Sequence, residues 1–212
     1  MNYKMLNIHE WERKAHFNFF KTFEIPFFGV TFNVDVTQCY AMAKKNGQSF
    51  FISYLYAALK AANAVEAFKY RMVGANEVRV YNSIHASPTI NRPDGTFGFS
   101  YINYNENFEA FYTNALTEID RVKSNAKLEP SKDDGDTIYF SALPWLQFTS
   151  LSHAVKIQQY DSVPRISFGK VFTENTKLLM PTSVHVNHAL ADGYHVGLFS
   201  EHFQNNLNAF SY

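Results

Sequence analysis

The chain has 212 residues, 46% of them hydrophobic, 17% aromatic and only 18% charged, with 19 basic side chains against 19 acidic ones. So apolar a composition excludes intrinsic disorder, and a balanced charge offers neither nucleic acid nor an acidic membrane an electrostatic footprint. The single cysteine, Cys39, excludes a disulfide framework and a CxxC metal site, and uncharged stretches shorter than the ~20 residues of a bilayer span leave a cytoplasmic protein as the expectation, read as one domain over 1–212.

The segment from His9 to Phe20 reads as a short helix carrying Trp11, Phe17 and Phe20. Val30, Phe32, Val34 and Val36 alternate with Thr31, Asn33 and Asp35, the period-two pattern of a half-buried strand. Asp35 and Thr37 offer caps for a helix through Ala43 that stops near Asn46-Gly47, and Ser49 caps a second one from Phe50 to about Val65. Val78 to Tyr81 and Thr96 to Tyr101 alternate as strands, whereas Phe108, Phe111, Ala115, Ile119 and Val122 have helical spacing. The polar run Glu129 to Asp136 is a surface loop, and Ile138 to Val155 reads as strands. Two more strands follow, Arg165 to Phe172 and Lys177 to Val186, before a final helix with Val196, Phe199, Phe203, Leu207 and Phe210. Helices and strands mixed without regular βαβ alternation predict an α/β (α+β) fold, a mixed β-sheet covered by helices.

The chemistry concentrates in Ser183-Val184-His185-Val186-Asn187-His188-Ala189-Leu190-Ala191-Asp192-Gly193-Tyr194-His195, where a strand runs into a turn that opens a helix. A histidine at a strand end can be held rigidly while one ring nitrogen faces a cleft, and imidazole is the side chain best suited to remove a proton near neutrality. Taken alone, His188 also reads as a turn or core histidine, and Asp192 as the N-cap of the last helix. His185 and His188 would leave a strand on opposite faces, which defines no metal geometry, so no metal is expected. No Gly-x-Ser-x-Gly elbow and no Gly-rich phosphate loop is present. A histidine base without a protein nucleophile most naturally activates a hydroxyl of the substrate.

Asn187 to Val196 resembles the H-H-A-x-x-D-G-F-H-V signature of the trimeric chloramphenicol acetyltransferases. Trp11-Glu12-Arg13-Lys14-Ala15-His16-Phe17 is similar to that family's W-x-R-x-x-H-F, Ser141-Ala142-Leu143-Pro144-Trp145 to its S-A-x-P-W, and Lys177 to Pro181 to the segment before its catalytic strand. The resemblance implies a CoA-dependent acyltransferase fold and acetyl transfer from acetyl-CoA to an acceptor hydroxyl within a ternary complex. It makes His188 the base, Ser141 the donor to the oxyanion, and Ser167 a hydroxyl acting through water. Asp192 and Arg13 become a buried ion pair orienting the site, and Phe20 and Phe97 apolar walls of the acceptor pocket, although either also reads as core. A homotrimer with active sites at subunit interfaces is implied as well. The sequence departs from its relatives at Asn187, at Glu24 and His153 where leucines are usual, and at Leu151 where phenylalanine is usual. On the CoA side Ser49 and Val171 replace a lysine and a tyrosine, leaving Lys170 as the candidate phosphate contact. A carboxylate in an apolar cleft needs a partner, so the acceptor is expected to be chloramphenicol or a more polar or cationic hydroxyl or amine compound. A small-molecule binder without catalysis is the remaining alternative; it would require neither His188 nor Ser141.

Overall fold

In the computed structural model, which describes residues 2–130, 132, 135–154 and 160–210, the chain order is β1 (Tyr3–Met5), α1 (Lys14–Phe20), β2 (Phe27–Asp35), α2 (Thr37–Lys45), α3 (Phe50–Ala64), β3 (Tyr70–Gly74), β4 (Glu77–Tyr81), β5 (His85–Asn91), β6 (Phe97–Phe99), α4 (Phe108–Lys123), β7 (Thr137–Ala142), β8 (Arg165–Phe168), β9 (Phe172–Glu174), β10 (Lys177–Asn187) and α5 (Gly193–Asn208). The strands form a small antiparallel sheet, β1-β4-β3, and a larger mixed sheet, β2-β10-β8-β7-β5-β6, with β9 also on β10. In the larger sheet β5, β7 and β8 run parallel, while β10 pairs antiparallel with both β8 and β2.

Several local signals act as the sequence suggests. Ser49 Oγ accepts from the Ile52 N–H as the N-cap of α3, whereas α2 has Val36 at its N-cap without a side-chain cap, Asp35 Oδ1 instead accepting from the N–H and the hydroxyl of Thr37 in the first turn. Gly47 ends the α2 region with φ +65°, a left-handed value that glycine adopts at no steric cost.

Three of the expected elements differ, and β1, β3 and β5 were not expected at all. The first helix starts at Lys14, because residues from Asn7 onward close successive turns, with Glu10 N–H on the Asn7 carbonyl and Trp11 N–H on the Ile8 carbonyl. The expected strand from Arg165 breaks after Phe168, where the Gly169 N–H turns to the Pro181 carbonyl and the Lys170 N–H to the Leu146 carbonyl. Within Ile138 to Val155 only the part up to Ala142 is strand; Leu143 to Ala154 is irregular and Val155 lies outside the described residues. Part of the 129–136 loop also lies outside them.

Cross-strand register gives the large sheet two unlike faces. Val184, Ile166, Phe140 and Pro88 belong to one row and face the helices, where Phe168 packs on Tyr54 of α3 at 4.9 Å and on Phe203 of α5 at 6.0 Å. The opposite face carries the register-paired Thr31, Ser183, Ser167 and Ser141, and one step along, Gly29, His185, Arg165 and Tyr139. Side chains alternate with period two, so the polar face follows from the apolar one.

Candidate active site

His188 directly follows the last residue of β10, where its N–H donates to the Pro26 carbonyl at 2.7 Å. It is therefore a turn residue rather than a strand residue, and the opposite-face comparison with His185 does not apply to it. Its ring stacks on Phe20 at 4.0 Å with a 9° interplanar angle and leans on Phe28 at 4.5 Å. Nδ1 lies 3.1 Å from the Ala191 carbonyl oxygen. A carbonyl only accepts, so the neutral ring carries its proton on Nδ1 and keeps a lone pair on Nε2.

Asp192 is both the N-cap of α5 and a partly buried ion-pair partner of Arg13. It caps α5, accepting from the Tyr194 N–H at 3.0 Å, with His195 Nδ1 2.8 Å from Oδ1. Its other oxygen meets Arg13 Nη1, and Arg13 Nη2 reaches the His188 carbonyl at 3.5 Å. Burial works to raise the Asp192 pKa, but the His195 hydrogen bond and the Arg13 charge prevail and hold it at about 2. One guanidinium thus ties the start of α1 to both ends of the His188 turn.

Ser141 lies elsewhere in the chain, on β7, bordering a cavity of about 410 Å³ together with Ser87, Thr89, Tyr139, His153 and Arg165. Its register partner Ser167 is fully buried, with an Oγ that has no hydrogen-bond partner among the described residues. Beyond it, Thr31 donates to Ser183 at 3.2 Å, extending the hydroxyl row across four strands. Ser183 lies four residues before Asn187, the end of β10, with His188 next in the turn, and Ser141 is two strands away from Ser183. At ~3.3 Å per residue and ~4.8 Å per strand, His188 and Ser141 of one chain are roughly 20 Å apart.

A second cavity, of about 680 Å³, borders Lys123, Lys170, Tyr40, Phe50 and Ala142. Thr89 borders both cavities, and Ser141 and Ala142 place consecutive residues of β7 on one and the other. Ser49 and Val171, the two departures expected on the CoA side, border this second cavity alongside Lys170.

Among the residues expected to contact the acceptor, His153 borders the Ser141 cavity. It meets His185 edge-on at 4.8 Å, and the Leu151 backbone also interacts with the His185 ring. Burial, reinforced by His185 and Arg165, lowers the His153 pKa to about 4; burial and Arg165 likewise lower that of His185. Phe20 is on the His188 ring, not on the Ser141 cavity. Phe97 is 45% exposed and packs on Phe99, and it is Phe99 that borders the cavity. Glu24 is exposed beyond α1 and borders neither cavity in its own chain.

Sequence reasoning did not find Thr89, Tyr139 or Arg165 as cavity residues, nor His185 as the neighbour of His153. The alternation in Arg165-Ile166-Ser167-Phe168 was their signal, but which face it served required the register. Among the described residues no group of three or more His, Cys, Asp or Glu is arranged to hold a metal, and no helix is long and apolar enough to cross a membrane.

A sequence model of the family described as chloramphenicol acetyltransferase matches residues 1–204. A chloramphenicol acetyltransferase of Staphylococcus aureus is 26% identical over 96% of this chain and 95% of its own length. A solved structure of a chloramphenicol acetyltransferase superposes with a TM-score of 0.89 at 31% identity, covering 97% of this chain and 99% of that one. The dihydrolipoamide acetyltransferase of Azotobacter vinelandii shares the fold, with a TM-score of 0.67 at 15% identity over 92% of this chain and 87% of that one.

Proposed function

The chain belongs to the chloramphenicol acetyltransferase family of acyltransferases, and on that premise we propose that it moves an acetyl group from acetyl-CoA to the hydroxyl of a small acceptor at a seam between two subunits. The tautomer of His188 carries this reading. With Nδ1–H committed to the Ala191 carbonyl and the ring clamped on Phe20, Nε2 is the base.

Nε2 removes the hydroxyl proton as the acceptor oxygen attacks the acetyl carbonyl. The C–O bond forms, Ser141 donates to the negative oxygen of the tetrahedral intermediate, and that intermediate collapses with cleavage of the C–S bond. The proton held by His188 passes to the departing thiolate, so atoms and charge balance. A single well-placed donor to such an oxyanion is worth ~3 kcal/mol. The orphaned Ser167 hydroxyl beside Ser141 supports an ordered water there, since buried hydroxyls need partners. Lys123, Lys170 and the aromatic rings of the larger cavity suit the phosphates and adenine of CoA, and Thr89 joins that cavity to Ser141.

The backbones of His188 and Ser141 in one chain are roughly 20 Å apart by sheet spacing, which favours a shared acceptor that takes them from neighbouring subunits. That separation supports a site shared between subunits, and family membership, not the spacing, is what suggests a homotrimer in the cytoplasm. The polar lining of the Ser141 cavity favours a second acceptor reading, in which chloramphenicol is a poor substrate and a more polar compound the good one. The pair His188 and Ser141 weighs against a binder without catalysis.

Thiol release from acetyl-CoA, measured with chloramphenicol and with a panel of other hydroxyl acceptors, tests the proposal. His188→Ala is expected to lose at least ~10²-fold in turnover with any accepted substrate; a variant keeping more than a tenth of wild-type turnover refutes the mechanism.

A further inference from the structure

Three consecutive backbone N–H groups follow His188, and Asn187 receives all of them. Its side-chain Oδ1 accepts from the Ala189 N–H at 2.9 Å, and its main-chain carbonyl accepts from those of Leu190 and Ala191, each at 3.0 Å. The first of these contacts, from residue i+2 to the side chain of residue i, is an Asx turn. The other end of the amide leaves the turn. Nδ2 donates to the Asp161 carbonyl at 2.9 Å and approaches Met72 Sδ at 4.0 Å. Asn187 is only 2% exposed. A reversed amide would set donor against donor at Ala189 and acceptor against acceptor at Asp161, so the partners fix its orientation.

Asp161 is a firm anchor for that amide. Its Oδ2 meets Arg165 at 2.5 Å and its Oδ1 accepts from the Val163 N–H at 3.2 Å, while the neighbouring Ser162 hydroxyl accepts from the Met72 N–H of β3 at 2.8 Å. The Arg165 guanidinium lies 4.5 Å over the ring of Phe27, the register partner of Asn187 on β2. Asn187 therefore ties the His188 turn to the sheet through contacts separate from those of Arg13.

We infer that Asn187 is a positioning residue for the transfer: its amide fixes the turn that presents the Ala191 carbonyl to His188 Nδ1, and so keeps the base in its useful tautomer. The inference rests on His188 being the base. Ala191 is the residue whose carbonyl faces Nδ1 and whose own N–H is held by Asn187. The main-chain half of this arrangement is open to any residue, but the side-chain half is not. Without the amide, the fully buried Ala189 N–H and the Asp161 carbonyl each lose a partner, and the turn must shift to find others. Once the Ala191 carbonyl moves away, the neutral ring is free to carry its proton on Nε2. A proton there removes the lone pair that the acceptor hydroxyl needs.

The test uses the full-length protein with acetyl-CoA and the best hydroxyl acceptor of the panel, comparing wild type with Asn187→Ala and Asn187→Ser. Asn187→Ala loses both side-chain bonds, whereas the serine hydroxyl can still accept, more weakly, from the N–H two residues on. In Asn187→Ala kcat is expected to fall at least ~10-fold, the cost of a misplaced base. KM for both substrates should stay within about twofold of wild type, because Asn187 borders neither cavity. Asn187→Ser should recover part of the lost kcat. Nitrogen NMR of histidine-labelled protein at about pH 8.5, where imidazole is neutral, reads the tautomer directly, with His188 assigned from its missing signals in His188→Ala. Wild type should carry the proton on Nδ1, and Asn187→Ala should shift it toward Nε2; if that variant does not fold, Asn187→Ser gives the same readings at smaller amplitude. A role confined to stability would lower the melting temperature and leave kcat and the tautomer where they were. That result, a rise in KM without a fall in kcat, or a serine variant no better than alanine overturns the inference. Failure of the transfer reading has a different signature, His188→Ala retaining turnover.

Discussion

Arg13 holds two things at once, the Asp192 carboxylate and the His188 carbonyl, and its planar fork is what permits both. Arg13→Lys keeps the charge but loses the fork, so kcat should drop about tenfold or more while circular dichroism stays native. If kcat is unchanged, the guanidinium does not position the His188 turn. Asp192 titrates at about 2 in the folded chain, below the carboxylate's ordinary 3.8. Its depressed pKa therefore adds stability that is complete above about pH 4 and lost as pH falls toward 2, on the order of 1–2 kcal/mol after solvent screening. Asp192→Asn should flatten that part of an acid-denaturation curve. His153 is also depressed, to about 4 against 6.5, but for a histidine this means the fold resists protonation. The unfolded chain binds the extra proton between pH 6.5 and 4, so stability declines across that window on acidification. Urea midpoints for His153→Gln should decline less over the same range; an equal decline would show that His153 titrates normally.

Among the elements, those with uninterrupted periodicity were legible in the sequence and those with a locally polar or kinked run were not. α3, α4 and α5 are found where their apolar spacing and caps place them, with Ser49 and Asp192 acting as read. β5 escaped because His85-Ala86-Ser87-Pro88-Thr89 contains a proline, which argues against an interior strand. The structure accommodates it because β7 pairs only residues 85–88 and β6 only 89–91, and the Pro88 carbonyl is satisfied by Ser100. The catalytic candidates were legible as a motif, but their separation was not, since it depends on strand order. The polar face of β10 depends on one close approach. A Cβ added at Gly29 would come within 2.3 Å of His185 Nε2, so β2 can lie against that histidine only as glycine. Gly29→Ala should destabilise by about 1–3 kcal/mol through overpacking, and adding His185→Ala should recover most of the loss in a double-mutant cycle. If the double variant is no more stable than Gly29→Ala alone, the clash is not with that ring.

At the scale of the whole molecule, one chain contains every proposed catalytic group but not in one place. His188 closes one end of the β2–β10 pair, whereas Ser141 lies two strands inward on the polar face. On the proposed seam the chemistry depends on assembly, so a protein with a sedimentation mass of one chain should be inactive. Subunit mixing tests this most directly. His188→Ala and Ser141→Ala chains, each expected to be severely impaired alone, are co-refolded in equal amounts, and thiol release from acetyl-CoA is measured. If each site takes its base from one subunit and its oxyanion donor from the next, about one site in four regains both groups, and activity should return to roughly that share of wild type. Mixed assemblies no more active than the separate variants would place both groups in a single chain and contradict the account.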